Sequence, residues 1–199
     1  MGLGISLRPV SRVVWGRENH RGRVTYLCED GRRRTPERVV LWRWRKCGFG
    51  GYRLRPNIWR VLGEMPALRG RLPIEKIAEI LGHKKREGGE TAKLLPRPEL
   101  ICDLLVALSA QRVMALVAHH SDGIAVDARE PGVPDLFLFK RRPDGDPWCV
   151  RLVEVKRPDE RIRSHQEAEI HYLRGLGLRA GVVRLIERPG PPRRQKEGV

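Results

Sequence analysis

The chain of 199 residues is 40% hydrophobic, enough for one cored domain or a domain with a modest extension, so it should fold. Its 40 Lys and Arg against 24 Asp and Glu give a formal net charge of +16, which draws the chain to polyanions and makes nucleic acid the leading partner. Cys28, Cys47, Cys102 and Cys149 are widely spaced, form no C-x-x-C pair and follow no signal peptide. That argues against disulfides and for reduced thiols in the cytoplasm, nucleoid-associated in a prokaryote.

In chain order, VVWGRENHRGRVTYLC from Val13 to Cys28 reads as two short strands around a polar turn, and EDGRRR adds a second turn. TPERVVLWRWRKCGFGGYR predicts a helix with Thr35 as N-cap, Pro36 at the first helical position and Gly48, Gly50 and Gly51 at its end. IWRVLGEM predicts a second, short helix. LPIEKIAEILGH predicts another, with Ile74, Ile77, Ile80 and Leu81 on one face and Gly82 as its stop. KKREGGETAK is a polar loop, and RPELICDLLVAL restarts a helix after Pro98. The apolar run LICDLLVALSAQRVMALVAHH is interrupted by Asp103, Gln111 and Arg112, which makes it a pair of core helices and not a membrane span. His119 and His120 end that run with no cysteine at zinc-finger spacing, so no structural zinc site is expected there.

The last third changes period. DLFLF and CVRLVEV, joined by the turn-rich RRPDGDP, predict an antiparallel hairpin. Ser164 and Glu167 read as an S-x-x-E capping box for a helix running to about Leu176, and AGVVRLIE as a closing strand. Residues 188–199, rich in Pro and polar groups, read as a disordered tail.

Side chains alternate along a strand, so Glu154 and Lys156 share a face, and hairpin pairing brings Asp135, at the start of the partner strand, close to Glu154. Two carboxylates that close repel unless a positive charge lies between them. A hard divalent cation meets that need with carboxylate oxygens, a backbone carbonyl and water, Mg²⁺ first and Mn²⁺ second. Such an ion polarises a phosphate, and Lys156 would orient the nucleophile or neutralise charge developing on phosphorus. A lone E-x-K in a strand is ordinarily a salt-bridged sheet edge. The pattern here is narrower: P-D before one strand, E-V-K ending the next, then a capped helix with Gln166 in its first turn.

That pattern resembles the PD-(D/E)xK nuclease core. GVPDLFLF, RLVEVKRPDERIRSHQ and YLRGLGLRAGVVRLIE are similar to its VRR-NUC branch. ERVVLWRWRKCGFGGYRLRPNIWRVLG is similar to the segment that opens the nuclease domain of the Fanconi-associated structure-specific nucleases and their bacterial relatives, so the resemblance spans residues 35–187. It implies an α/β fold with a small mixed sheet, a helical insert over residues 58–120, a catalytic core over 131–187 and a basic, strand-rich N-terminal subregion over 1–34. It also implies metal-dependent cutting of flap, fork or junction DNA in repair or recombination. Asp135, Glu154 and the Val155 carbonyl would hold Mg²⁺ or Mn²⁺, Lys156 would assist the nucleophile and Gln166 would support the site. The helical insert points to the monomeric, flap-cutting type.

One departure stands out. The family's H-x-E segment is replaced by YRLR, with Arg53 at the His position and Arg55 at the Glu position, so one acidic ligand is missing. Glu64, Glu99 and Asp103 are the acids considered as replacements. With no replacement, the competing reading is a binding module that recognises branched DNA without cutting it; cleavage of RNA is a third. The larger family members carry further DNA-binding regions, so a partner subunit or the basic surface would supply grip here. Residues 1–60 hold 15 basic side chains against 4 acidic ones, together with Trp15, Trp42, Trp44 and Trp59, a mix suited to phosphate contact and base stacking. Trp42 and Trp59 are expected inside. Arg32, Arg33 and Arg34 after their turn, Arg157, Arg161 and Arg163 beside the motif, and Arg55 if it turns outward, are the expected phosphate contacts.

Overall fold

The structure is a computed structural model that describes residues 14–20, 23–56, 58–63, 79, 83, 97–121 and 132–188. Their strands are β1 (Val14–His20), β2 (Arg23–Leu27), β3 (Arg33–Arg34), β4 (Gly50–Arg53), β5 (Leu136–Arg141), β6 (Pro147–Lys156), β7 (Ala180–Arg184) and β8 (Glu187–Arg188). Their helices are α1 (Pro36–Lys46), α2 (Ile58–Gly63), α3 (Pro98–Leu108), α4 (Ala110–Ser121) and α5 (Ser164–Gly175).

The central sheet has four strands in the order β4-β5-β6-β7 and is mixed: β4, β5 and β6 are antiparallel neighbours, and β7 runs parallel to β6. Its axis is β5, whose LFLF run is apolar on both faces. Leu136 and Leu138 join Val39 and Val40 of α1, Val153 and Val155 in one cluster. Phe137 and Phe139 join the other, with Trp59, Leu104, Leu116 and Ile170 from the helices. All four side chains are at most 2% exposed. Each such burial contributes about 1.5–3 kcal/mol, which holds the strand that starts at Asp135 in fixed register.

Opposite the helical layer, α1 lies between the central sheet and a second sheet of order β3-β2-β1-β8. Helix α1 forms because Pro36 occupies its first turn, Glu37 complements the positive N-terminal end, and Arg43, Arg45 and Lys46 complement the last turn. Gly48, at φ +77°, lets the chain fold back so that the Gly48 and Phe49 amides donate to the Arg45 and Trp44 carbonyls, each at 3.0 Å. Strand β8 pairs in parallel with β1, Val14 opposite Glu187, so both ends of the described chain share a sheet.

The helices predicted at Ile58 and Pro98 are present, and α3 and α4 are separate helices broken at Ser109, where φ is +67°. Among the described residues no single helix is long and apolar enough to cross a membrane. Of LPIEKIAEILGH only Glu79 and His83 are described, both helical; the polar loop at 84–93 and the tail from 189 lie outside the described residues. The expected capping box is displaced by one residue. Arg163 is the N-cap of α5, and Gln166, not Glu167, closes the turn by accepting the Arg163 N–H at 3.1 Å.

Candidate active site

Asp135 is fixed before β5 begins. The Leu54 N–H donates to its carbonyl at 2.8 Å, prolonging the β4 to β5 ladder, and the Val155 N–H donates to its Oδ2 at 2.8 Å. The register Leu136 to Val153 then sets Asp135 against Glu154 across the hairpin. On β6, Glu154 and Lys156 are 4% and 2% exposed. Lys156 Nζ lies 3.0 Å from Glu154 Oε1 and 3.3 Å from Glu160 Oε1, and Gln166 Nε2 donates to Glu154 Oε1 at 2.6 Å. The strand tolerates its buried charges because each has an opposite charge or a hydrogen bond within reach.

The loop after β6 is held from β7. The Arg184 guanidinium donates to the carbonyls of Arg157, Pro158 and Glu160 at 3.0, 3.1 and 2.5 Å. That places Glu160 over Lys156. Burial pushes Glu160 up, but the Lys156 charge and the Arg157 hydrogen bond outweigh it and hold the carboxyl below its usual range. Asp135 and Glu154 move the other way. Burial raises Asp135; the Val155 amide opposes the rise and the Glu37 charge adds to it. Burial raises Glu154 and the Asp135 charge raises it further, against the pull of Lys156. Burial dominates both shifts, and a neighbouring carboxylate adds to each.

The groups line an open cleft of about 610 Å³, and the sequence reading missed one of its walls: Glu37, from the first turn of α1. Glu37 Oε1 accepts from Arg53 Nη2 at 3.1 Å, while Oε2 is buried with no hydrogen-bond partner among the described residues. The Thr35 hydroxyl, also on the cleft, is buried and unpartnered in the same way. Glu37 was legible only as a helix-start acid, since a carboxylate in the first turn is explained by the dipole alone. Of the three acids considered from sequence, the two that are described do not fill this place. Glu99 is exposed at the start of α3, Glu64 lies outside the described residues, and Asp103 is engaged by Tyr52 Oη at 2.9 Å and Arg141 Nη2 at 2.7 Å.

Asp135, Glu154, Val155, Lys156, Arg157, Arg163 and Gln166 all line this cleft. Arg55 does not. It lines a second cleft of about 640 Å³ with Arg34, Arg38, Arg45, Arg53 and Arg97, so the position opposite the acids belongs to Arg53, which borders both clefts. Arg32, Arg33 and Arg161 are exposed outside the two clefts. Arg34, expected to be exposed, is only 14% so, because both its terminal nitrogens bond Asp30 at 2.6 Å. Trp59 is fully buried, but Trp42 is only half-buried and carries Lys46 and Arg34 over its ring at 4.0 and 4.9 Å. Trp44 is half-buried too, edge-on to Phe49.

Residues 96–185 match the model of the VRR-NUC domain, which bears out the resemblance carried by the P-D and E-x-K motifs; residues 35–95 lie outside the match. No curated protein matches the chain at a significant level. Among solved structures, the chain is similar to paFAN1 bound to gapped DNA with a two-nucleotide 5′ flap, at 24% identity and TM-score 0.39, over 50% of this chain and 17% of that one. It is similar to paFAN1 with a one-nucleotide flap at 27% identity and TM-score 0.39, over 49% of this chain and 16% of that one.

Proposed function

We propose that this chain, whose residues 96–185 carry the VRR-NUC domain of a nuclease family, hydrolyses DNA phosphodiesters with a divalent cation and prefers flap or otherwise branched DNA. The observation that carries the reading is the convergence of Glu37, Asp135 and Glu154 on one cleft beside Lys156, with a buried Glu37 oxygen that no described group satisfies. An all-oxygen donor set of this kind suits Mg²⁺ or Mn²⁺, with the Val155 carbonyl and waters completing the shell. A bound cation would supply Lewis-acid polarisation of the scissile phosphate.

The chain's own groups divide the remaining work. The Val155 amide aims Asp135, and Gln166 and Lys156 aim Glu154. Lys156, held between two carboxylates, is placed to orient the attacking water and to offset charge building on phosphorus. Glu160, fixed by Arg184 through the loop backbone, keeps Lys156 in that position. Arg157 and Arg163 on the cleft, and the arginines of the adjoining cleft, offer the phosphate contacts, with Trp42 as a stacking surface. The binding-module reading draws its force from the missing acid at position 55; Glu37, an acid offered to the cleft by another element, favours cutting over it.

Purified protein incubated with labelled flap, fork, four-way junction and linear DNA, with Mn²⁺, with Mg²⁺ and with chelator, tests the proposal. Metal-dependent cleavage strongest on flap DNA is the expected result. DNA binding with no cleavage in either metal would overturn it in favour of the binding module.

A further inference from the structure

The last turn of α4 sets His119 and His120 side by side, and Glu169 of α5 reaches both. His119 Nε2 lies 3.2 Å from Glu169 Oε2, and His120 Nε2 lies 3.1 Å from Glu169 Oε1. Glu169 is 3% exposed and His120 12%, while His119 opens to solvent at 39%. An ionised carboxylate this far from water needs positive charge close by. Among the described residues, no Lys or Arg pairs with Glu169; its partners are the two imidazoles.

We propose that His119, His120 and Glu169 form a second metal site, separate from the acidic cleft and suited to Zn²⁺ rather than Mg²⁺. Two imidazole nitrogens and one carboxylate oxygen are donors that zinc accepts readily and Mg²⁺ does not. Bonds of about 2.0–2.2 Å at tetrahedral angles put neighbouring ligand atoms about 3.3–3.6 Å apart. The two histidines meet different oxygens of Glu169, Oε2 for His119 and Oε1 for His120, and one ligand atom from each of the three residues lies within 4.8 Å of the others, so a shift of the half-exposed His119 ring would bring the set to that spacing. The rings are supported from outside the site: Tyr172 stacks on His119 with centroids 3.7 Å apart and planes 11° apart, and its hydroxyl donates to the Ala115 carbonyl at 3.1 Å. Water would fill the fourth position.

The site has a structural consequence. Glu169 follows Gln166 by three residues, so a metal bound to it fixes α5 against α4 one turn away from the side chain that holds Glu154. It stands whether or not the acidic cleft cuts DNA.

The test uses the full chain, stripped with chelator and titrated with Zn²⁺ by calorimetry in excess Mg²⁺, which occupies oxygen-only sites. The Asp135→Ala variant serves as a background in which the acidic cleft is impaired. One equivalent of Zn²⁺ should bind in both, Co²⁺ in its place should give the visible absorption of a four-coordinate ion, and the His119→Ala, His120→Ala double variant should lose both signals. Glu169→Gln keeps the size and hydrogen bonding of the side chain and should weaken Zn²⁺ by more than about tenfold, which decides the matter even if the double variant does not fold. Zinc uptake unchanged by Glu169→Gln, or no uptake by the unsubstituted chain in Mg²⁺, would overturn the proposal and leave a closed histidine-carboxylate hydrogen-bond cluster.

Discussion

In the acidic cleft Glu154 and Lys156 are 4% and 2% exposed, and the titration of its carboxylates is displaced by burial and by one another. In the arginine cleft beside it Arg38 and Arg45 of α1, Arg55 between β4 and α2, and Arg97 at the start of α3 remain exposed. Arg53 borders both and ties them together through its bond to Glu37. Buried charges are costly to build and suit chemistry that depends on their placement; exposed guanidinium groups cost little and suit a long polyanion held by many weak contacts. Cleavage and grip should therefore be separable by mutation.

The largest effect expected is on cleavage alone. Asp135→Ala and Glu154→Ala should each slow the reaction by on the order of 10²–10⁴-fold, read by single-turnover gel assay, while fluorescence anisotropy reports nearly unchanged DNA affinity. Full-rate cutting by either variant would remove the acidic cleft from the chemistry. Glu37→Gln comes next: it retains an acceptor for Arg53 but removes the charge, so the rate should fall by about 10–100-fold and the Mn²⁺ concentration for half-maximal activity should rise. If the Mn²⁺ titration does not move, Glu37 is only the ion-pair partner of Arg53.

Arg55→Glu tests the division from the other side. DNA binding should weaken and the slope of log affinity against log salt should fall by about 1, with the metal titration unchanged. A lower metal requirement instead would place Arg55 among the acids and merge the two regions. The smallest effect is on stability. Asp135 and Glu154 are pushed up to about 6 and about 7 in the folded chain, above ordinary carboxylates. Their folded form thus binds protons more tightly than the unfolded chain, so their contribution is full below the unfolded carboxylate range and is lost as pH rises through those values. In chelator, Tm should decline between about pH 5 and 8. Mn²⁺ should offset that decline most at the alkaline end, and in Asp135→Asn both effects should shrink. A decline of the same size in Asp135→Asn would locate its cause elsewhere.

Much of the cleft could be read from spacing, because strand alternation and hairpin pairing leave few ways to arrange P-D, E-x-K and the helix that follows. Asp135, Glu154 and Lys156, read from spacing, and Gln166, read from the family resemblance, line one cleft. What spacing could not carry was convergence between distant elements. Glu37 lies 98 residues before Asp135, and Glu169 about 50 after the two histidines it meets. Each has an adequate local explanation that hides the distant one. The same holds for Arg34, where an exposed run of three arginines gave no sign that Asp30 would claim one of them. The shift of the capping box came from a competition the sequence shows only as two adjacent polar residues: Gln166 can satisfy Arg163 and Glu154 together.

The two hydrogen bonds of Gln166 join two properties ordinarily measured apart. One end of the amide closes the first turn of α5 and the other holds Glu154, so fraying of the helix and loss of aim at the carboxylate are one local opening event. Cleavage should then fade on warming before the chain unfolds globally, in step with the loss of hydrogen-exchange protection at the start of α5. The working temperature of such an enzyme would be set by a single helical turn, well inside the range in which the two apolar clusters still hold the fold.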